Sequence, residues 1–305
     1  MRTVFSILQI IMLIVIAPLV SGLITKIKNN VRLRRGQSVF QPYYNLAKLF
    51  SKEEVISEHT SWIFSVTPYV VFASTVTALF LVPTFIAKNP QGCMGDLFLL
   101  VFILSLGRFF LALAGLDSGS AFGGMGSSRE MFISSFAEPA AILVFFAVSL
   151  SAGSTNLGAV TTGGFRLSWL VAAVSLLLVV LAETSRIPVD NQETHLELTM
   201  VHEAMILEYS GRSLALIELA SYVKQIVFFS LLGAIVWPCM AAASAGYAEI
   251  IAALAAYLLK IAGLVLVVAL VEVSLAKMRL FRVVDFLYFS FVIALVAVIA
   301  AVFGV

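Results

Sequence analysis

Six acidic side chains lie in one stretch of the chain, residues 183–212, between two long apolar runs. They are accompanied by Arg186 and Arg212, and the acids are Glu183, Asp190, Glu193, Glu197, Glu203 and Glu208. A helix beginning after Pro188 would place Asp190, Glu193 and Glu197 on one face, because their spacings are three and four residues. Such stacked carboxylates could line a funnel for a proton or another cation. The alternative is a loop in which water solvates each acid separately.

Further charges interrupt the apolar runs themselves, at Arg108, Glu138, Glu218, Lys224, Lys260 and Glu272. A charge at the centre of a membrane helix costs about 2.5–3.5 kcal/mol, so it normally faces a bundle interior or an aqueous cavity. Glu272 lies near the end of its run and is expected to reach water by snorkelling, and Glu218 could do the same. Two interpretations stay open for the others: ion pairs that fix helix register, or a path for protons. We predict a proton path formed by Glu138, Glu183, Asp190, Glu193, Glu197, Glu208, Glu218, Lys224 and Lys260.

A glycine- and serine-rich block, residues 115–139, contains Asp117, Arg129 and Glu138. The block lacks the lysine of a phosphate-binding loop, and no strand precedes it, so that interpretation is weak. We expect residues 116–130 to form a loop whose glycines allow tight packing against a partner surface.

No metal site is predicted. His195 and His202 have no second ligand at the spacing of a Glu-x-x-His motif, so they are interpreted as interface residues. Cys93 and Cys239 are too few and too far apart for a metal cluster. The formal net charge of +2 gives no support for a nucleic-acid partner.

The composition shows which elements must position these groups. Of the 305 residues, 61% are hydrophobic and 12% are charged, and the mean hydropathy is +1.05. Soluble domains are about 45–50% apolar and about 25% charged, so this is an integral membrane protein. Apolar runs of about 20 residues predict spanning helices, which satisfy their own backbone groups in lipid. We therefore predict an all-α, polytopic helix bundle forming one membrane domain over residues 1–305, with spans near 3–24, 62–87, 96–115, 131–152, 166–183, 213–236, 247–272 and 284–303.

The distribution of Lys and Arg predicts the orientation of these spans. The loops 25–61, 116–130, 184–212 and 273–283 hold thirteen basic residues, whereas the opposite side holds only Arg2, Lys88 and Arg166. The basic side is expected in the cytoplasm, which puts both termini outside a cytoplasmic (inner) membrane. Within the first loop, the aromatic-rich segment 37–58 is predicted to be an amphipathic helix at the lipid interface, with a solvated linker as the alternative.

Several segments together resemble a known family. They are RLRRGQSVFQPYYNLAKLFSKEEV, AETSRIPVDNQETHLELTMVHEAMILEYSG and MRLFRVVDF. These segments resemble the membrane subunit shared by respiratory complex I (its subunit 1) and the membrane-bound group 4 nickel-iron hydrogenases. Within that family, GLDSGSAFGGMGSSREMFISSFAEPA is similar to the hydrogenase branch, the type of formate hydrogenlyase subunit 4 and hydrogenase-4 component C.

The resemblance implies a non-catalytic subunit that binds no cofactor and links electron transfer to proton or sodium translocation. Nickel-iron and iron-sulfur centres are then expected in partners: the hydrogenase large and small subunits, iron-sulfur subunits and antiporter-like membrane subunits. Segments 37–58, 116–130 and 184–212 are predicted to dock the soluble arm, and the docking residues are Asp117, Arg129, Arg186 and Arg282. Two alternatives remain: the quinone-binding subunit 1 of a complex I-type NADH:quinone oxidoreductase, and a stand-alone ion transporter.

Overall fold

A computed structural model of the chain describes residues 2–57, 59–82, 84, 95–162, 166–190, 200–238 and 247–304. Eleven α-helices run through these described residues. They are α1 (Arg2–Val31), α2 (Gln41–Phe50), α3 (Trp62–Leu81), α4 (Leu97–Asp117), α5 (Ala121–Ala152), α6 (Leu157–Thr162), α7 (Leu167–Glu183), α8 (His202–Ile206), α9 (Gly211–Val236), α10 (Tyr247–Ser274) and α11 (Leu280–Val302).

Seven of the described helices, α1, α3, α4, α5, α9, α10 and α11, are long and apolar enough to cross a membrane. The predicted polytopic helical bundle is therefore confirmed. The remaining predicted span, at 166–183, corresponds to α7, which has only 17 residues. At 1.5 Å per residue it is about 25 Å long, at the short end of the range for a spanning helix.

Side chains at the helix starts explain where several spans begin. The Ser61 side chain accepts a hydrogen bond from the Ile63 amide and caps α3. Asp96 and Ser120 cap α4 and α5 in the same way. Each cap satisfies an amide that has no partner within the helix. At the other end of α5, Gly153 adopts φ +69°, a left-handed conformation that glycine tolerates and that ends the helix.

The bundle is centred on α7, which packs against α5, α9 and α11. Its Trp169 and Leu176 are buried, together with Phe145 of α5 and Phe229 of α9. Helices α10 and α11 lie at the periphery and expose long apolar faces. The short α7 is thus surrounded by longer helices, which brings its last residue, Glu183, into the bundle interior.

The prediction of a loop at 116–130 is wrong, because α5 begins at Ala121 and runs through most of the glycine-rich block. The glycines instead allow helices of this chain to approach one another. A Cβ atom on Gly126 would lie 2.9 Å from the Ala204 Cβ and 3.0 Å from the Val201 carbonyl oxygen. Ser127 of the same block donates to the Ala112 carbonyl oxygen of α4 at 2.9 Å. Small residues at such crossings are typical of membrane helix packing.

The short helix expected in segment 37–58 is present as α2, although it ends at Phe50. It buries Leu46 against the bundle and exposes Phe40, Tyr44 and Phe50. The Tyr43 hydroxyl donates to the Val15 carbonyl oxygen, which attaches α2 to α1. Its position at the lipid interface stays a prediction.

Candidate functional site

A buried group of charges, here called the central cluster, joins four helices of the bundle. Its members are Arg108 (α4), Glu130 and Glu138 (α5), Glu183 (α7) and Lys224 (α9). The Arg108 guanidinium pairs with Glu183 and lies 3.1 Å from a Glu138 carboxylate oxygen and 3.8 Å from one of Glu130. The Lys224 amine lies 2.9 Å from Glu183. Arg108 is only 8% exposed, so these acids replace the water that its charge has lost.

The central cluster holds three carboxylates and two cations. With all groups charged it would carry one surplus negative charge, and like charges in a medium of low dielectric constant disfavour that state. Protonation of one carboxyl, or the entry of a cation, would balance it. Ser105 donates to Glu138 at 2.9 Å, so this carboxyl has a neutral partner besides Arg108. The surplus carboxylate therefore makes the central cluster suited to bind one proton or one other cation.

A second group of charges, here called the α10 cluster, surrounds Glu272, which is only 2% exposed. Arg186 lies 2.8 Å and Lys28 lies 3.3 Å from its two carboxylate oxygens. Arg186 also donates to the side-chain oxygen of Gln225 at 3.0 Å. The expectation that Glu272 snorkels to water is wrong, because α1 and the segment after α7 supply two cations to it inside the bundle.

Asp190 is the third buried acid of the region and is 1% exposed. It accepts hydrogen bonds from the backbone amides of Val201 and His202 at 3.0 and 3.2 Å, at the start of α8. It also pairs with Lys277 at 2.8 Å. Asp190 therefore ties the segment after α7 to α8 and to the segment before α11.

The shared helical face predicted for Asp190, Glu193 and Glu197 lies outside the described residues, since 191–199 are not among them. His195 falls in the same gap, and Cys93 and Cys239 fall in two others.

A cavity, here called the central cavity, lies between the central cluster and the α10 cluster. Its wall includes Arg108, Glu130, Glu183 and Lys224 on one side and Arg186 and Gln225 on the other. It offers about 60 Å³ to water-sized molecules, which is enough for several waters. The Nε atoms of Arg108 and Arg186 and the Nε2 of Gln225 are buried and make no hydrogen bond to the described part of the chain. Buried donors are normally satisfied, so this cavity is suited to hold water between the two clusters.

A family model described as NADH dehydrogenase matches residues 4–303. The chain belongs to the NADH dehydrogenase subunit 1 family. Its relatives include hydrogenase-4 component C of Escherichia coli (strain K12), 32% identical over 300 residues that cover 96% of this chain and 94% of the relative. Formate hydrogenlyase subunit 4 of the same organism is 31% identical over 290 residues, 92% of each chain.

The complex I branch of the NADH dehydrogenase subunit 1 family is also related. NADH-quinone oxidoreductase subunit 8 of Rhodothermus marinus is 30% identical over 204 residues, which cover 61% of this chain and 57% of the relative. A chain in the structure of the archaeal respiratory complex MBS, a membrane-bound sulfane sulfur reductase, shares the fold. Its TM-score is 0.84 at 20% identity, over 98% of this chain and 99% of that one. The resemblance to the family is thus confirmed.

The other predicted path residues of this subunit 1 homologue are more scattered. Glu218 of α9 is half-buried, and Glu208 is exposed just before that helix. Lys260 of α10 lines a different cavity and donates to the Trp237 carbonyl oxygen at 2.6 Å. The structure therefore brings Glu138, Glu183 and Lys224 together in the central cluster and places Lys260 elsewhere.

The predicted docking residues occupy different environments. Asp117 accepts hydrogen bonds from the amide and hydroxyl of Ser61 at 2.8 and 2.9 Å, at the start of α3. Arg129 is half-buried and donates to the Met200 carbonyl oxygen at 2.9 Å, and Arg282 is exposed. Arg186 is buried in the α10 cluster, so its guanidinium is not on a surface where a partner could bind it directly.

Glu130 is the residue of the central cluster that sequence reasoning did not assign. It precedes Glu138 by eight residues, so a helix over both positions would place them close to the same face, two turns apart. Because residues 116–130 were predicted to be a loop, this helical spacing was not considered.

His202 and Glu203, at the start of α8, titrate outside the membrane-spanning helices. Desolvation by burial lowers the pKa of His202, against an opposing effect of the neighbouring Glu203 carboxylate. Burial likewise raises the pKa of Glu203, against the effect of His202. Both groups are therefore shifted toward their neutral forms. His202 also lines the central cavity, so a neutral imidazole there could exchange protons with water.

Proposed function

We propose that this chain is the membrane-anchor and energy-coupling subunit of a membrane-bound nickel-iron hydrogenase of the formate hydrogenlyase type. One observation carries the choice of complex. The two hydrogenase relatives match 96% and 92% of the chain, whereas the related subunit 8 of the complex I type matches 61%. A quinone-binding role in a complex I-type enzyme is the main alternative, and a stand-alone ion transporter is the alternative of another class.

The central cluster supports the coupling part of the proposal. A buried group with one carboxylate more than it has cations can take up a proton when its surroundings become more negative, and release it when they relax. The proposed path leads from the cytoplasmic side, through Asp190, Glu193 and Glu197, to Glu183 and Glu138, and Lys224 responds to the change in charge. Glu208 and Glu218 would extend the acidic entrance.

The segment 183–190, here called the linking segment, offers a mechanism for coupling. Its three charged residues, Glu183, Arg186 and Asp190, belong to the central cluster, the α10 cluster and the Lys277 pair, respectively. A displacement of this segment on electron transfer in a bound partner would change all three sets of contacts at once. The proposal therefore assigns Arg186 a positioning role within the bundle.

Docking of the soluble arm is assigned to the face that carries α2, the start of α5 and α8. Arg129 is the best placed of the proposed docking residues, because it is partly exposed and joins α5 to the segment before α8. Exposed Met125 and Met131 on the same helix add adaptable apolar surface. Arg282 would extend the contact, and Asp117 would act indirectly by holding the start of α3.

The chain would lie as a single domain in the cytoplasmic membrane, with both termini outside, and bind no cofactor itself. The nickel-iron and iron-sulfur centres would belong to the hydrogenase large and small subunits and to iron-sulfur subunits. Antiporter-like membrane subunits would carry further ions. Among the described residues, no group of three or more His, Cys, Asp or Glu is arranged to hold a metal ion.

Purification of the tagged chain from its native membrane tests the proposal. Co-isolation of nickel together with hydrogenase activity supports it. Co-isolation of NADH:quinone activity without nickel would replace it with the complex I alternative. A chain that purifies alone and transports ions in liposomes would establish the transporter.

The docking surface has its own test. Arg129→Ala should reduce the amount of soluble arm retained on washed membranes, with Arg166→Ala as the matched control, because Arg166 is exposed just before α7 and belongs to the side opposite the predicted docking segments. Equal retention in both variants would remove Arg129 from the docking surface.

A further inference from the structure

A second cavity lies between α9 and α10, near the C-terminal end of α9. Its lining includes Ser230, Gly233 and Trp237 of the α9 side and Tyr257 and Lys260 of α10. It offers about 20 Å³ to water-sized molecules, which is enough for one water.

Polar side chains from several helices converge on this second cavity. The Ser230 and Tyr257 hydroxyls lie 2.8 Å apart, and Lys260 donates to the Trp237 carbonyl oxygen. Thr84 also lines the cavity, and its hydroxyl accepts a hydrogen bond from Gln9 of α1. A lysine at the C-terminal end of α9 is favourable as a helix cap. That explanation accounts for the amine. The Ser230 hydroxyl donates to the Ile226 carbonyl oxygen at 2.7 Å, so its oxygen accepts from the Tyr257 hydroxyl, and these hydrogen bonds lead from α10 to the α9 backbone at residue 226. Ionisable groups at membrane depth commonly mark ion pathways.

Helix α9 contributes to both cavities within a short distance. Lys224 and Gln225 line the cavity of the central cluster, and Phe229 and Ser230 line the second one. Gln225 and Phe229 are four residues apart, which is about 6 Å along the helix. The residues between them, 226–228, are Ile, Val and Phe, and all three are buried. One apolar turn therefore separates two polar cavities that lie toward opposite ends of α9.

We propose that this chain contains a complete proton route across the membrane in its own bundle. The route runs from the central cluster, across the apolar turn at 226–228, to Ser230, Tyr257 and Lys260, and leaves at the C-terminal end of α9. The distribution of basic residues predicts that this end faces outward. The proposal goes beyond the coupling function above, in which the chain passes its effect to other membrane subunits.

The proton balance of this route is simple. The central cluster releases one proton when its charge changes, and water that transiently enters the apolar turn carries it to the Ser230–Tyr257 pair. Each hydroxyl donates a proton as it accepts another. The Lys260 ammonium gives one proton to water on the far side and is restored from Tyr257. The central cluster takes up one proton from the cytoplasmic side, so no group is changed after one cycle.

Accessibility of introduced cysteines tests the two cavities without any hydrogenase partner. The chain has two cysteines, Cys93 and Cys239, which are first replaced with serine. Gly233→Cys is suited to the second cavity, because a Cβ atom there finds its nearest neighbours at 3.8 Å. Ser221→Cys reports the central cavity, and Val227→Cys reports the apolar turn.

Sealed membrane vesicles of both orientations are treated with a membrane-impermeant thiol reagent. The proposal expects labelling of Gly233→Cys from the side of the α9 C-terminus, of Ser221→Cys from the opposite side, and of Val227→Cys from neither side. If Gly233→Cys reacts from neither side, or from the same side as Ser221→Cys, the route is refuted. This outcome is independent of which complex the chain belongs to.

Proton movement then tests the route itself, in the complex that co-purifies with the chain after reconstitution in liposomes. Tyr257→Phe removes one hydroxyl, and Lys260→Arg keeps the charge and the hydrogen-bond donor but not a releasable proton. Both should lose protons moved per electron pair, while the control Tyr288→Phe, on an exposed face of α11, should not. If Lys260→Arg moves as many protons as the unsubstituted complex while Lys260→Gln does not, Lys260 is a helix cap and the route is wrong.

Discussion

Replacement of Arg108 with methionine should strongly destabilise the bundle. The side chain is 8% exposed and pairs with Glu183, Glu138 and Glu130, so its loss leaves three carboxylates facing Lys224 alone. Removing one partner from a buried ion pair typically lowers the free energy of unfolding by about 3–5 kcal/mol. That change is roughly a hundredfold or more in the ratio of folded to unfolded chain.

Glu138→Gln in the same cluster should have a much smaller effect on stability. Its side chain is 35% exposed, and the change leaves two carboxylates against two cations. Glutamine has the same size and can still accept hydrogen bonds from Ser105 and Arg108. We expect a loss of less than about 1 kcal/mol, in the range of a partly exposed ion pair. The complex should still assemble, while coupled proton translocation is impaired because this group can no longer be charged.

Unfolding by denaturant in detergent micelles, followed by the fluorescence of the three tryptophans, measures both variants. Proton uptake by reconstituted liposomes measures translocation. If Arg108→Met unfolds at the same denaturant concentration as the unsubstituted chain, or if Glu138→Gln is equally damaging, the balance of charges does not govern the central cluster. If Glu138→Gln assembles and translocates normally, the proton path does not include this residue.

Three further changes test other parts of the structure by the same unfolding measurement. Gly126→Ala should destabilise the chain by about 1–3 kcal/mol, because its Cβ would meet the Ala204 Cβ at 2.9 Å. In the control Gly124→Ala the new Cβ meets nothing within 4 Å, so this variant should be more stable by up to about 1 kcal/mol. Equal effects of the two changes would contradict the close helix crossing at Gly126. Burial lowers the pKa of His202, so the imidazole is protonated in the unfolded chain before the folded chain as the pH falls through about 6.5. The free energy of unfolding should therefore decrease between about pH 7 and 5, and His202→Gln should make that decrease smaller. If His202→Gln leaves the dependence of stability on pH unchanged, burial does not lower the pKa of His202. Asp190→Asn should cost about 1–3 kcal/mol by weakening its contacts, unlike the exposed control Asp285→Asn, and equal stability of the two would show that Asp190 is not structural.

Hydropathy predicted the spanning helices well because lipid imposes one dominant requirement, a long apolar run. Spans predicted at 62–87, 96–115, 213–236 and 284–303 correspond to α3, α4, α9 and α11. Helix α1 runs to Val31, beyond the predicted end at residue 24, because Lys28 in its last turns is buried and pairs with Glu272 of α10. The first ten residues of α5 were missed for a physical reason. Glycine has poor helix propensity, and in this block the favourable packing of Gly126 and Ser127 against other helices outweighs it.

The sequence predicted some of the residues that form the central cluster, but it did not predict which of them pair with one another. The sequence shows that Arg108, Glu138 and Lys224 lie within spans, and their burial cost indicates that they need partners. Which partner each finds depends on helix neighbours and rotations, and Arg108 and Glu183 are 75 positions apart in the chain. Glu272 illustrates the limit, because its place near the end of α10 is compatible with snorkelling, whereas a cation from another helix makes it a buried residue.

Under the proposed function, the arrangement of charges gives a reason why this chain could couple electron transfer in a partner to ion movement. Glu183, Arg186 and Asp190 lie within one short segment, and each contacts a different part of the bundle. If these three salt bridges lay on separate segments, each could break without affecting the others. Here all three are attached to the backbone of the linking segment. A shift that lengthens the contact of Asp190 with Lys277 would also move Arg186 relative to Glu272, and Glu183 relative to the central cluster. Because Glu183 pairs with both Arg108 and Lys224, a shift that separates its carboxylate from these cations would favour protonation of that carboxyl. Mechanical movement at the face that carries α8 would thereby become a change in proton affinity inside the bundle.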